Sequence, residues 1–179
     1  MSNDASESER TMLVILADTH GTGTPELTET VESALAKADL VAHAGDFTDE
    51  RVLNAFEQRA ERLVAVVGNS DEKAVRDRLP EMQVFEYAGY RMLLVHGHTH
   101  TETSLTLLAR QENADIVIVG HTHRPTIQEF GEQLLVNPGS HADPRGNRAA
   151  FGVIHSTGDG LAVELRTVDG QTFETRHDN

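Results

Sequence analysis

The sequence predicts a mixed α/β fold of two packed β-sheets with helices outside, and three observations predict it. In the first half, continuous apolar runs alternate with segments whose apolar residues recur at helical spacing. In the second half, short strand-like runs follow one another and glycines punctuate them. The length of 179 residues suits one compact domain, which at this size buries roughly 70 % of its unfolded surface.

Residues 1–10 are rich in Ser, Asp and Glu with no apolar run, so they are expected to form a disordered acidic tail, with a single domain over 11–179. They lack the basic start and apolar stretch of a signal peptide. From Met12 to Ala17 the chain is apolar without a break, the pattern of a strand buried on both faces. Thr24 and Pro25 have the chemistry of a helix cap and first helical position, and Leu27, Val31, Ala34, Leu35 and Ala38 fall on one helical face. A second strand, Leu40 to Ala44, leads to a helix with Val52, Leu53 and Phe56 inward. A third, Leu63 to Val67, precedes a short helix over about 72–79 that Pro80 closes, because proline has no N–H to continue the ladder.

The later strands are expected at Met82 to Tyr87, Arg91 to Val95, Asp115 to Val119, Thr126 to Phe130, Gln133 to Val136, Ala150 to His155, Leu161 to Arg166 and Thr172 to Thr175. One helix, Leu105 to Gln111, interrupts them. Gly89, Gly131 and the Gly158 to Gly160 stretch mark hairpins.

Fifteen Lys and Arg against 29 Asp and Glu give a formal charge of −14, which repels polyanions and argues against stable nucleic-acid binding. Only Lys37 and Lys73 are lysines. An acidic, lysine-poor surface suits a halophilic cytoplasm, where a Debye length of about 3 Å at 1 M salt screens self-repulsion. No segment approaches a membrane span, so a cytoplasmic location is expected. Cysteine is absent, so any metal must bind through His, Asp, Glu or Asn.

The informative pattern is where the polar residues fall. Apolar runs end in Asp18-Thr19-His20, in Gly45-Asp46, in Gly68-Asn69-Ser70-Asp71, in His96-Gly97-His98 and in Gly120-His121-Thr122-His123. Carboxyl ends of parallel strands share one sheet edge, where ligands bind in layered α/β folds, so five loops can converge on one cleft. In extended backbone residues i and i+2 project to the same side, so Asp18 with His20, and His121 with His123, can each present two ligands to one place. Glycines at 45, 68, 97 and 120 let the chain turn beside them.

That ordered set resembles the calcineurin-like metallophosphoesterase superfamily, from Leu13 through Asn137-Pro138-Gly139-Ser140, and within it the small YfcE-type phosphodiesterase branch. The resemblance implies a four-layer sandwich of two mixed sheets flanked by helices, with a dinuclear site at the sheet edge. It implies that Asp18, His20 and His123 hold one divalent metal, that Asn69, His96 and His121 hold the other, and that Asp46 bridges them. Hydrolysis of a small phosphate ester by in-line attack of a bridging hydroxide follows from that likeness. Mixed N and O ligation fits Mn2+, Fe2+, Co2+, Ni2+ or Zn2+, and the resemblance makes Mn2+ the first choice.

One departure is chemical. Relatives carry His where this chain has Ser70, and a serine cannot protonate a leaving group at neutral pH. His98 is the nearest substitute, so the catalytic set is expected to be Asp46, Asn69 and His98. Asp71 is expected to orient the site or to cap the following helix, and His100 to lie on the surface. The turn at 137–140 has backbone donors suited to phosphate oxygens, and Arg145 can pair with a substrate anion. The alternative function is an interaction scaffold like the retromer Vps29 subunit, which has this fold but would have lost ligands. A homo-oligomer is compatible with everything above.

Overall fold

The computed structural model describes residues 11–157 and 159–178, so the expected acidic tail lies outside the described residues, as does Gly158. Among the described residues, eleven strands and four helices run in the order β1 (Met12–Leu16), α1 (Glu29–Lys37), β2 (Leu40–His43), α2 (Glu50–Arg59), β3 (Leu63–Ala65), α3 (Lys73–Arg76), β4 (Met82–Tyr87) and β5 (Tyr90–Val95). There follow α4 (Glu102–Gln111), β6 (Ile116–Ile118), β7 (Thr126–Phe130), β8 (Gln133–Asn137), β9 (Ala150–Thr157), β10 (Gly160–Thr167) and β11 (Thr172–Asp178).

Two mixed sheets form, in the orders β11-β10-β9-β1-β2-β3 and β4-β5-β6-β8-β7. β1, β2 and β3 are mutually parallel, as are β5, β6 and β8. The glycine-marked turns join antiparallel neighbours, β4 with β5, β7 with β8 and β9 with β10.

Side-chain alternation explains the layers. In β1, Leu13 and Ile15 face the second sheet while Val14 and Leu16 face the helices, and all four are buried. A strand covered on both sides has no use for polar residues, hence the unbroken apolar run. The central core joins β1, β2, β9 and β10 to β5, β6, β7 and β8. An outer core packs Val31 and Leu35 of α1 and Val52, Leu53 and Phe56 of α2 on the first sheet. A third packs Leu105 and Ala109 of α4 on Leu93, Val95 and Val117 of the second. The sequence is therefore helix, sheet, sheet, helix in layers, with each fully buried Leu, Ile, Val or Phe contributing about 1.5–3 kcal/mol.

Two local expectations are corrected. The first helix begins four residues later than Thr24 and Pro25 imply: Thr28 is the cap, its hydroxyl accepting from the Val31 N–H at 3.3 Å. Leu27 still packs against the core but from irregular backbone, and the Glu26 backbone is engaged by the His141 ring. The third helix is a single turn, Lys73–Arg76: the Arg78 N–H drops back to the Val75 carbonyl three residues before it, and Pro80 follows.

Candidate metal centre

Six loops leave the carboxyl ends of the parallel strands β1, β2, β3, β5, β6 and β8, and they meet at one end of the sandwich. Asp18 and His20 follow β1, Asp46 follows β2, Asn69 and Asp71 follow β3, His96 and His98 follow β5, and His121 and His123 follow β6. Asp18, His20 and His123 bring one ligand atom each within 4.8 Å of the others, and so do Asp18, Asp46 and His96. Asp46 Oδ2 lies 3.3 Å from both His20 Nε2 and His96 Nε2, so it touches an imidazole of each group. Asn69 Oδ1 is 3.0 Å from His96 Nε2, and the His121 ring centroid is 5.3 Å from that of His96.

The paired ligands do not come together by extended backbone, as strand geometry predicts. Asp18 (φ 53), His20 (φ 44), His121 (φ 69) and His123 (φ 57) are all left-handed, and Asp46 (φ 62) and Thr48 (φ 77) join them. The first metal-capable residue comes one to four positions after each strand ends, and the turns aim it. His121 and His123 consequently diverge, one toward His96 and the other toward His20. Left-handed non-glycine backbone costs free energy and persists where the surroundings hold it.

Those surroundings are hydrogen bonds between loops. The Asp18 N–H donates to the Gly45 carbonyl and the His20 N–H to the Asp46 carbonyl, both at 3.0 Å. Asp71 accepts from the amides of Gly68, Thr48 and Asp46, so it ties the second loop to the third. It does not cap the single-turn helix, whose cap position is Glu72. Gly68 is where these loops nearly touch: a Cβ there would stand 2.1 Å from Asp46 Oδ1 and 2.4 Å from its backbone nitrogen.

The turn at 137–140 braces the candidate ligands. Asn137 Nδ2 donates to the Gly120 carbonyl, its Oδ1 accepts the Gly139 N–H, and Ser140 Oγ donates to the Asp18 carbonyl while accepting from the Asp143 amide. Arg145 projects from left-handed backbone (φ 48), its Nε on Asp143 Oδ2 at 3.0 Å and its Nη2 3.5 Å from His20 Nε2.

The donor chemistry fits a cation. His96 Nδ1 faces the Ala44 carbonyl at 2.7 Å and His123 Nδ1 faces that of Asp143, so each ring turns Nε2 inward, the arrangement that fixes a metal-binding tautomer. Asp18 Oδ2 is buried with no hydrogen-bond partner, a lone carboxylate oxygen for which a cation is the natural counterpart. Burial pushes the Asp18 pKa up to about 6 against the pull of His96 and His123. Burial also works against charge at Asp46, but the hydrogen bond and charge of His96 outweigh it and hold that carboxyl far below its ordinary range. Burial lowers His20 and His121, which favours the neutral form that ligates metals, and the partial burial of His98 lowers it as well.

His98 is exposed, its ring centroid 5.3 Å from His96 and 6.1 Å from His121, so it stands at the rim on the Asn69 side. His100 stands away from these contacts, beside Thr99. Sequence reasoning missed Thr19, His43 and His141, all buried directly beneath the ligands. The available signal was His43 itself, a histidine inside an apolar strand.

The sequence matches the calcineurin-like phosphoesterase superfamily domain over residues 12–160. The chain belongs to that superfamily. A superfamily relative from Methanothermobacter thermautotrophicus, named a probable metallophosphoesterase, is 32% identical over 158 residues, 86% of this chain and 91% of its own. The phosphodiesterase YfcE of Escherichia coli strain K12 is 30% identical over 115 residues, 60% of each chain. The solved structure of E. coli YfcE superposes with a TM-score of 0.74 at 23% identity, covering 94% of this chain and 100% of that one. Vps29 from Entamoeba histolytica, solved with Zn2+, superposes with a TM-score of 0.78 at 23% identity over 94% of this chain and 100% of that one. At such identity the likeness is one of fold. The expected four-layer metallophosphoesterase fold of the YfcE-type branch is therefore present.

Proposed function

We propose that this metallophosphoesterase is a phosphodiesterase that depends on two divalent metal ions. Asp18, His20 and His123 would hold the first, Asn69, His96 and His121 the second, and Asp46 both. The single observation that carries the reading is Asp46 Oδ2, equidistant at 3.3 Å from an imidazole nitrogen of each group. Metals bound there would supply Lewis-acid charge neutralisation and a water acidic enough to serve as nucleophile in an in-line displacement at phosphorus.

The chain's own residues do the rest. Carbonyl-anchored His96 and His123 keep their inward nitrogens fixed. Arg145, at the mouth beside His20, is placed to bind a non-bridging phosphate oxygen. Ser70 cannot donate a proton at neutral pH, so esters with acidic leaving groups are the preferred substrates, and His98 at the rim is the proton donor for others. Asp46, Asn69 and His98 thus form the catalytic set. The mixed N and O donor set suits Mn2+, Fe2+, Co2+, Ni2+ or Zn2+ alike, and the family resemblance makes Mn2+ the first choice.

The scaffold reading has less support: every ligand position carries a metal-capable side chain, and Met82 and Leu107 are the exposed large apolar residues among those described. A charge of −14 disfavours nucleic acid, and no described helix is long and apolar enough to cross a membrane. We infer a cytoplasmic, halophilic setting from the acidic, lysine-poor composition.

The test is hydrolysis of bis-p-nitrophenyl phosphate in about 2 M KCl, where charge repulsion is screened. Activity should appear on adding Mn2+ to metal-stripped protein and vanish with EDTA. Asp46→Ala should lower it by about 1000-fold or more, the scale of losing a central catalytic group. Folded, metal-loaded protein that is inert on aryl diesters, cyclic nucleotides and glycerophosphodiesters would transfer the case to the scaffold.

A further inference from the structure

Beneath the metal-capable side chains lies a second histidine pair that the ligand set leaves unused. His43, at the end of β2, is fully buried and stacks on Phe47 with ring centroids 3.8 Å apart. His141, in the loop after β8, is buried edge-on to Phe56. The Thr19 hydroxyl stands between them, 2.8 Å from His43 Nε2 and 3.0 Å from His141 Nε2.

A backbone group at one end sets the direction of the chain. The Gly45 N–H can only donate, and it meets His43 Nδ1 at 3.2 Å, so that nitrogen accepts and Nε2 carries the hydrogen. The Thr19 hydroxyl accepts that hydrogen, and its own single hydrogen is then directed to His141 Nε2, 3.0 Å away. Reversing the His43 tautomer would set its Nδ1 hydrogen against that of Gly45 in a dry interior.

The chain of bonds ends on the backbone that carries the ligands. Thr19 lies between Asp18 and His20, and Gly45 precedes Asp46; all three ligand residues are left-handed. His141 follows Ser140, whose hydroxyl holds the Asp18 carbonyl at 2.6 Å. Both rings are buried too deeply to meet a substrate, which leaves them position rather than chemistry.

We propose that His43, Thr19 and His141 are positioning residues of the metal centre, forming a one-way hydrogen-bond chain that holds the Asp18–His20 and Gly45–Asp46 turns in the geometry coordination needs. This inference rests on the metal-centre reading above. Thr19→Val keeps the side chain's shape and deletes its hydroxyl, whereas Thr19→Ser keeps the hydroxyl. Calorimetric titration of Mn2+ and Co2+ into each folded, metal-stripped full chain, well below its Tm, separates positioning from mere stability.

Thr19→Val should bind metal about tenfold or more weakly than the unaltered protein, as loss of an outer partner of a metal site does, and Thr19→Ser within about threefold of it. Imidazole 15N spectra of the unaltered protein should find His43 protonated on Nε2 and His141 on Nδ1. If Thr19→Val does not fold, Thr19→Ala removes the same hydroxyl without overfilling the site and carries the same expectation. Unchanged affinity in the variant, or the opposite tautomer at His43, overturns the proposal and leaves the metal centre standing. Failure of the unaltered protein to bind either ion at millimolar concentration overturns the metal centre and this proposal together.

Discussion

Ser70 stands where a proton donor would be most useful, one residue after Asn69, with its N–H on Asp46 Oδ1 at 2.8 Å and its hydroxyl 3.2 Å from Asn69 Nδ2. Its side chain is solvent-facing, so a larger group fits there without repacking. Ser70→His should therefore add a general acid beside the proposed second metal. General acids contribute about 100- to 10,000-fold, mostly to poor leaving groups. Phenyl diesters should gain at least about tenfold in kcat relative to p-nitrophenyl diesters; equal gains or none would place the leaving group elsewhere. At this scale the candidate ligands were legible as a set because polar residues follow apolar runs, as Asp18 and His96 do. Thr19, His43 and His141 were not, because nothing in a linear string distinguishes a histidine that faces a cation from one that faces a threonine.

Among the elements, the loops are more constrained than the strands that bear them. The loop after β3 approaches the loop after β2 so closely that only a hydrogen fits at residue 68. Gly68→Ala would push a methyl carbon into Asp46 backbone, which has no rotamer to escape to. The substitution should destabilise the fold by about 1–3 kcal/mol, the usual cost of overpacking, and displace Asp46 from its neighbours. Urea denaturation of the metal-free protein measures the first effect and Mn2+ titration the second; a wild-type result in both would show that the loops have more room than their geometry gives. Strand and helix positions followed from periodicity, and Val52, Leu53 and Phe56 do face inward as their spacing requires. The start of α1 did not follow. Thr24-Pro25 and Thr28 are equally good local signals, and the backbone at Glu26 is committed to a contact with His141, 115 positions further along by subtraction of their numbers.

For the whole molecule, the layer order was readable because buried-on-both-faces strands and one-sided helices admit few arrangements. The hydrogen bonds that brace the converging loops were not, since they join residues distant in sequence. Charge burial there has a global consequence in acid. His141 is pushed down to about 4 by burial, against an ordinary 6.5 in the unfolded chain. Between those values the unfolded chain binds a proton that the folded one refuses, so stability is whole above 6.5 and declines as pH falls toward 4. His43 is shifted the same way by the same cause. His141→Asn should reduce the difference in unfolding free energy between pH 7 and pH 4 by up to about 3 kcal/mol, at 1.36 kcal/mol per pKa unit. An unaltered slope would mean that His141 titrates normally.

His20 and His123, adjacent in space, are 103 residues apart in the chain, and His123 is itself oriented by the Asp143 carbonyl. During synthesis, then, the donors that His20 and His123 would share stay isolated until the segment around Asp143 has cleared the ribosome. Filling of that half of the centre becomes a terminal event in biogenesis, and a product truncated before Asp143 would be born without it.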